Sequence, residues 1–167
     1  MILLRSELDS EFKNKLFDIS AEDLPMRGIK YSDDSICCIL SATTVQFGFE
    51  VSGNIKVKPI YECVRCLDRN TVIINLKIKV LLKNKENIPF NKQDVIHFPE
   101  NQEKIDMSET IADIISLAEP MKPICSVNCL GLCPYCGKNL NQSSCDCKPE
   151  KDTSPWDVLN KIKSEKN

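Results

Sequence analysis

The sequence lacks the residues on which several classes of catalyst and membrane protein depend. It has one histidine, His97, and no compact cluster of aspartates and glutamates, so we do not expect a nuclease that holds its metal through such ligands. No window approaches the roughly 18 apolar residues of a membrane-spanning helix. Only four apolar residues, Met1 to Leu4, precede the first charge, too few for a signal peptide. We therefore expect a cytoplasmic chain without a membrane partner.

The sequence also lacks a strong net charge. Its 22 basic and 24 acidic side chains give −2, so the charge of the whole molecule does not indicate a nucleic-acid partner. The 167 residues are 42% hydrophobic and 28% charged, which is ordinary for a globular protein with an apolar core. We predict a sheet-and-helix unit over residues 1–120 and a cysteine-rich unit, packed on the first, over residues 121–167.

Cysteine is what the sequence has in excess. Six of the ten cysteines fall within the 23 residues from Cys125 to Cys147. Cys133-Pro-Tyr-Cys136-Gly has the form of a zinc knuckle, in which two thiolates on a tight turn point at one ion about 2.3 Å away. Cys63-Val-Arg-Cys66 is a second such pair. Because disulfides are rare in the cytoplasm, we predict Zn²⁺ as the cofactor.

The predicted ligands form four pairs. In chain order they are Cys63 and Cys66, Cys125 and Cys129, Cys133 and Cys136, and Cys145 and Cys147. Sites of four sulfurs have no vacant position, so we expect one or two structural zinc ions and no catalytic residues. In one arrangement the first pair shares an ion with the third, and the second with the fourth. In the other, the third and fourth pairs form a local site, and the first two come together or stay empty.

Hydrophobic periodicity predicts an α+β fold with an antiparallel β-sheet core. Residues 36–82 contain apolar runs and period-two alternation, which predicts strands at residues 45–51 and 72–82, with a turn at residues 52–54 and the Cys63–Cys66 knuckle at a hairpin tip. Further short strands are expected at residues 2–4 and 95–98, the second of which contains His97 as a packed or half-exposed residue. The adjacent Cys37 and Cys38 should point to opposite faces of a strand, one as a core residue and one as a surface thiol.

Helical periodicity predicts one central helix and a short C-terminal one. An apolar stripe of Ile111, Ile114, Ile115 and Ala118 lies at helical spacing between a capping residue, Asp106, and a helix-ending proline. A second helix should begin at residue 154, after the zinc-binding segment, with a serine cap and an early proline.

Basic residues concentrate between residues 54 and 86. This stretch has a charge balance of +5, so the rest of the chain has −7. Such a surface could contact phosphate, although lysines on a sheet face are often simply solvated. The candidate contacts for RNA or a protein partner are Lys56, Lys58, Arg65, Arg69, Lys77 and Lys79.

The cysteine pattern resembles that of the bacterial YceD family, which is described as large ribosomal RNA subunit accumulation proteins. The resemblance spans residues 36–165 and rests on the string Gly-Leu-Cys-Pro-x-Cys-Gly-x-Asn-Leu-Asn, flanked by Cys-x-x-Cys and Cys-x-Cys pairs. It implies a cytoplasmic, non-catalytic accessory factor that supports accumulation or processing of large-subunit ribosomal RNA. Its implied partner is this RNA or a ribosome-assembly protein, and no small-molecule substrate is expected.

Two other functions are compatible with the residues. One is a zinc-stabilised protein-interaction module. The other is a thiol-redox enzyme that uses Cys63 and Cys66. Thiol–disulfide exchange normally places such a motif at a helix N-terminus in a βαβ setting, whereas the sequence predicts a hairpin here.

Overall fold

A computed structural model of the protein describes residues 1–84 and 94–147. The predicted C-terminal helix lies outside these residues. The first half contains β1 (Ile2–Leu4), α1 (Arg5–Asp9), β2 (Phe12–Ser20), a 3₁₀ turn (Ala21–Asp23), β3 (Lys30–Tyr31), β4 (Ser35–Val45), β5 (Gly48–Val57) and β6 (Pro59–Glu62). The second half contains β7 (Arg69–Thr71), β8 (Ile74–Lys83), β9 (Asp94–His97), β10 (Lys104–Asp106) and α2 (Ser108–Leu117).

The fold is made mostly of antiparallel sheets with few helices. The largest sheet has the order β2-β4-β5-β8-β9, a second has β3-β6-β7, and β1 pairs with β10. All pairings are antiparallel except that of β8 with β9. The expected antiparallel architecture is therefore confirmed in outline, but the strands divide into three sheets. A second helix, α1, also occurs, and its five residues are too few to show a helical period.

The main core lies on one face of the five-stranded sheet. The predicted alternation in β8 is confirmed, because Ile78, Val80 and Leu82 are buried, whereas the intervening Lys79 is exposed and Leu81 is half-buried. Helix α2 contributes Ile111 and Ile115, both at most 1% exposed. Full burial of one such side chain stabilises the fold by about 1.5–3 kcal/mol.

The predicted turn at residues 52–54 is wrong. Strand β4 continues to Val45, the chain turns at residues 46–47, and β5 then runs through Gly53. A Cβ atom on Gly53 would lie 2.1 Å from the carbonyl oxygen of Ile39. Glycine is needed here because neighbouring strands approach closely, not because the chain reverses. The predicted strand at residues 45–51 therefore spans the real turn.

The hairpin that carries the first cysteine pair belongs to the smaller, three-stranded sheet. Pro59 begins β6, which pairs with β7 through Ile60 with Thr71 and Glu62 with Arg69. Residues 63–66 form the tip, as predicted, although the flanking strands are these two short ones. Within residues 1–84 and 94–147, no helix has the length and apolarity that crossing a membrane requires.

Candidate metal centres

The eight predicted ligands come together in two groups of four. Centre 1 consists of Cys63, Cys66, Cys125 and Cys129, and centre 2 of Cys133, Cys136, Cys145 and Cys147. Within each group all sulfur atoms lie within 4.8 Å of one another. This is the second of the two arrangements considered above; the first, which joined the two Cys-x-x-Cys knuckles on one ion, is wrong. The reason is that the chain after α2 returns to the hairpin, where the Val64 N–H donates to the Pro123 carbonyl at 2.9 Å.

The sulfur spacing in centre 1 fits a tetrahedral zinc ion. The Sγ atoms of Cys63 and Cys129 are 3.8 Å apart, and those of Cys66 and Cys125 are 3.6 Å apart. Four sulfurs about 2.3 Å from one Zn²⁺ would be separated by about 3.8 Å. When bound, such an ion would cross-link the hairpin to the segment after α2, so its binding free energy would contribute to folding.

The backbone at the first knuckle shapes this arrangement. The Cys63 N–H donates to the Asp68 carbonyl at 2.9 Å, and the Leu67 N–H donates to the Cys63 carbonyl at 2.8 Å. These bonds close a tight turn that directs both sulfurs inward. Leu67 completes the turn with φ of +62°, a left-handed conformation that is unfavourable for a bulky residue.

The second knuckle repeats the same turn. The Cys133 N–H donates to the Lys138 carbonyl at 2.8 Å, and the Gly137 N–H donates to the Cys133 carbonyl at 2.9 Å. Gly137 occupies the position of Leu67, with φ of +70°, and glycine adopts this conformation readily. The two centres are thus built on one backbone motif, of which the second copy is unstrained.

Backbone N–H groups favour the thiolate at the first cysteine of each knuckle. At Cys63 burial opposes ionisation, but N–H groups of Cys125, Arg65 and Cys66 outweigh it and lower the pKa to about 6. At Cys133 the N–H groups of Cys136 and Tyr135 likewise lower the pKa to about 6. Thiolate is the form that binds a metal.

A cluster of four sulfurs cannot ionise fully by itself. The hydrogen bond with Cys136 raises the pKa of Cys147 to about 12, and burial and repulsion between neighbouring thiolates add to the shift. A divalent cation would remove this repulsion and allow all four thiols to lose their protons. The donor set of centre 2 therefore also fits a soft divalent metal such as zinc.

The segment after the second knuckle also contacts centre 1. The Asn139 amide donates to the Asp68 carboxylate at 2.7 Å. The Asn141 amide donates to Cys129 Sγ at 3.4 Å, and its oxygen accepts the Leu130 N–H at 2.8 Å. Neither asparagine is among the predicted site residues, although the Asn-Leu-Asn motif beside the knuckle was the available signal.

The two centres are joined through Gly131. The Leu132 N–H donates to the Arg65 carbonyl at 3.0 Å, and the Leu140 N–H donates to the Gly131 carbonyl at 2.9 Å. Gly131 has φ of +77°, and a Cβ atom there would lie 3.0 Å from the Arg65 carbonyl oxygen. Glycine is therefore required for the segment of centre 2 to pack on the hairpin of centre 1.

The centres differ in their exposure to solvent. In centre 1, Cys63, Cys66 and Cys129 are at most 3% exposed. In centre 2, Cys136 and Cys147 are exposed. A chelator or oxidant in solution therefore reaches the sulfurs of centre 2 more easily.

The remaining cysteines and His97 lie outside both centres. Cys38 is fully buried in the core, and burial raises its pKa to about 12. Cys37 is half-buried on the opposite face of β4, so the predicted split of this pair is confirmed. His97 is an exposed residue at the end of β9.

The candidate contact residues lie on two parts of the surface. Four lysines belong to the outer face of the five-stranded sheet and the end of β5, namely Lys56, Lys58, Lys77 and Lys79. Lys58 pairs with Asp33 at 2.6 Å, and Lys79 pairs with Glu50 at 3.2 Å. Arg65 and Arg69 belong to the hairpin of centre 1, and both are exposed. The lysines and the arginines belong to separate elements, so the six candidate residues do not lie on one face of one sheet.

Comparisons with known proteins agree with the cysteine pattern. A family model described as large ribosomal RNA subunit accumulation protein YceD matches residues 51–163. A maize protein named large ribosomal RNA subunit accumulation protein YCED homolog 1, chloroplastic, is 49% identical over 57 residues, which are 34% of this chain and 20% of that protein. Its Arabidopsis thaliana namesake is 34% identical over 73 residues, covering 44% of this chain and 23% of the relative.

A bacterial relative matches more of the chain. An uncharacterized protein of Mycobacterium tuberculosis is 29% identical over 106 residues, which are 60% of this chain and 49% of the relative. The chain thus spans about a fifth of the chloroplast relatives' length and about half of the mycobacterial one. No solved structure gives a significant match.

Proposed function

Since the chain belongs to the YceD family, we propose that it is a non-catalytic accessory factor that supports the accumulation or processing of large-subunit ribosomal RNA. The observation that carries this proposal is the family match over residues 51–163, which includes all eight cysteines of both centres. The proposed place of action is the cytoplasm. The proposed partner is large-subunit ribosomal RNA or a protein that assembles with it.

The proposed cofactor is structural zinc, with one ion in each centre. Each group supplies four sulfurs, which fill the tetrahedral positions and leave none for a substrate. Support for a thiol-redox role is weaker, because Cys63 and Cys66 lie on a hairpin tip and each has a sulfur of the Cys125/Cys129 pair within 3.8 Å. Turnover of a disulfide substrate by the zinc-loaded chain would replace this proposal with the redox one.

The proposed RNA contact is the hairpin, together with Lys56 and Lys77 on the sheet. Arg65 and Arg69 make no ion pair with the described residues, whereas Lys58 and Lys79 each do. An unpaired cation can neutralise a phosphate and release its counterions, and this makes binding depend on salt. Lys58 and Lys79 are therefore expected to contribute less.

A cellular experiment tests the function. In cells depleted of the protein, the ratio of large-subunit to small-subunit ribosomal RNA should fall, and the wild-type gene should restore it. A Cys63→Ser/Cys66→Ser variant should fail to restore it if centre 1 is required. An unchanged ratio after depletion would reject the proposal.

A binding experiment identifies the contact. Filter binding of large-subunit RNA is measured against salt for the wild type, for Arg65→Glu/Arg69→Glu, and for Lys58→Glu/Lys79→Glu as the matched control. Losing two phosphate contacts should reduce the slope of log affinity against log salt by about two. The slope should fall by this amount for Arg65→Glu/Arg69→Glu and by less for the control. An absence of RNA binding at low salt would exclude large-subunit RNA as the direct partner.

A zinc-stabilised protein-interaction module is the second candidate. It is favoured by the exposed apolar side chains around the centres, where Val64, Leu67 and Leu130 are 53–64% exposed. The net charge of −2 also suits a protein partner better than unspecific RNA binding. Purified assembly intermediates that bind the chain after RNase treatment would support this candidate.

A further inference from the structure

Centre 2 differs from centre 1 in how the chain supplies its ligands. All four come from one stretch, residues 133–147, whereas centre 1 joins the hairpin to a segment that lies 59–66 positions away in the chain. A metal in centre 2 therefore organises a local loop, and its removal should open that loop without separating the sheets. The loop contacts the body through Asn139, Asn141 and the Leu132–Arg65 hydrogen bond of 3.0 Å.

Two cysteines of centre 2 are open to solvent and contact each other. Cys136 and Cys147 are exposed, whereas Cys133 is buried and Cys145 is half-buried. The side chains of Cys136 and Cys147 are hydrogen-bonded to each other, and all four sulfurs lie within 4.8 Å of one another. An accessible thiolate with a second thiol beside it is the kind of cysteine that an oxidant in water modifies first. Three cysteines of centre 1 are at most 3% exposed and lack this access.

We propose that Cys136 and Cys147 form a peroxide-sensitive pair, whose oxidation to a disulfide releases the metal of centre 2 and leaves centre 1 loaded. This inference rests on the zinc occupancy proposed above and goes beyond a purely structural role for both ions. It assigns a modification site to two of the ligands and a separate behaviour to each centre.

The reaction balances with hydrogen peroxide as the only oxidant. Both sulfurs are thiolates when the metal is bound. The Cys136 thiolate attacks one peroxide oxygen, the O–O bond breaks, and a sulfenic acid forms as hydroxide leaves. The Cys147 thiolate then attacks the Cys136 sulfur, the S–S bond forms, and a second hydroxide leaves. The two sulfurs lose two electrons in total, and two solvent protons convert the hydroxides to water.

Loss of these two ligands would free the loop that contacts centre 1. Only Cys133 and Cys145 would remain in centre 2, which are too few to hold a tetrahedral ion. Asn139 would then leave the Asp68 carboxylate, and Asn141 would leave Cys129 Sγ, which they contact at 2.7 and 3.4 Å. Centre 1 keeps its four sulfurs, so it should retain its ion while binding it less tightly. Reduction by a thiol and renewed metal binding would restore the loop.

Zinc release from the full chain tests the proposal. The zinc-loaded protein is treated with hydrogen peroxide, released metal is measured with a chromophoric chelator, and disulfides are mapped by mass spectrometry. One of the two centres should lose its ion as a Cys136–Cys147 disulfide forms, and reduction with added zinc should reverse both changes. Cys147→Ser should abolish this phase of release. Cys37→Ser is the matched control, because Cys37 is half-buried and outside both centres; it should release zinc as the wild type does.

Hydrogen exchange supplies a readout that does not depend on measuring the metal. The Leu140 N–H donates to the Gly131 carbonyl at 2.9 Å within the loop, and the Cys63 N–H donates to the Asp68 carbonyl at 2.9 Å in the hairpin. After oxidation of the wild type, the Leu140 N–H should exchange faster, whereas the Cys63 N–H should keep its protection.

Other results would overturn the proposal. Simultaneous release of both ions, or a mapped disulfide in centre 1, would show that burial does not protect that centre. Retention of both ions at a peroxide dose that oxidises Cys37 would show that the exposed pair is unreactive. An unchanged release phase in Cys147→Ser would assign the reactivity to other thiols. A chain that contains no zinc before oxidation would reject the zinc cofactor as well as the switch, so the two failures are distinguishable.

Discussion

Asn141 offers the sharpest test of the two-centre arrangement. It comes after the second knuckle, yet its amide donates to Cys129 Sγ of centre 1 at 3.4 Å and its oxygen accepts the Leu130 N–H at 2.8 Å. Asn141→Ala removes both bonds, together with a third that its amide donates to Asn139 Oδ1 at 2.9 Å, but none of the eight sulfurs. Metal affinity at centre 1 should therefore fall although its ligand set is intact.

The size of the effect follows from solvent exposure. Removing a group that supports a metal ligand typically lowers affinity by about 10–100-fold, or about 1.4–2.7 kcal/mol. Asn141 is exposed, so water can replace part of the lost hydrogen bonding. We therefore expect a value near the lower end, about 10-fold.

Competition with a chromophoric chelator measures the affinity, and cadmium NMR of the substituted protein distinguishes the centres. Asn128→Ala is the matched control, because this exposed asparagine lies in the loop between Cys125 and Cys129 but makes no side-chain hydrogen bond to the described residues. Equal affinities of the two variants would refute the reasoning, as would a loss confined to centre 2.

Three further predictions follow from the same contacts. Cys136→Ser, which alters only centre 2, should also weaken metal binding at centre 1, because Asn141 is held by the second segment; an unchanged centre 1 in chelator competition would contradict this. Gly131→Ala should destabilise the zinc-loaded chain by about 1–3 kcal/mol in denaturant unfolding, because alanine is strained at positive φ and its Cβ would lie 3.0 Å from the Arg65 oxygen. The lowered pKa of Cys63 and Cys133, about 6 in each case, predicts that these thiolates stabilise the metal-free fold above the ordinary thiol pKa of 9.0 and that this contribution is lost as pH falls through about 6. Unfolding of the metal-free chain between pH 9 and pH 5 would show this trend, and a flat profile would contradict it.

Local pattern was informative where one residue type serves one purpose. The alternation in β8 and the stripe on α2 were readable because sheet and helix periods each select one buried face. The knuckles were readable because two cysteines at this spacing on a tight turn suit one ion. Gly53 misled for the opposite reason: glycine occurs both in turns and where strands approach closely, and only the distance to Ile39 distinguishes the two cases.

The sequence by itself determined that eight cysteines in four pairs, on mostly antiparallel β structure, belong to the YceD pattern, because ligand spacing and strand alternation are properties of neighbouring residues. Only the tertiary structure decided which pairs meet, because Cys63 and Cys129 are 66 positions apart and their contact depends on the path that the chain takes after α2. It also decided that Asn139 and Asn141 support a centre to which they supply no ligand. Hydrogen bonds between residues that are distant in the chain produce no periodic pattern from which they could be predicted.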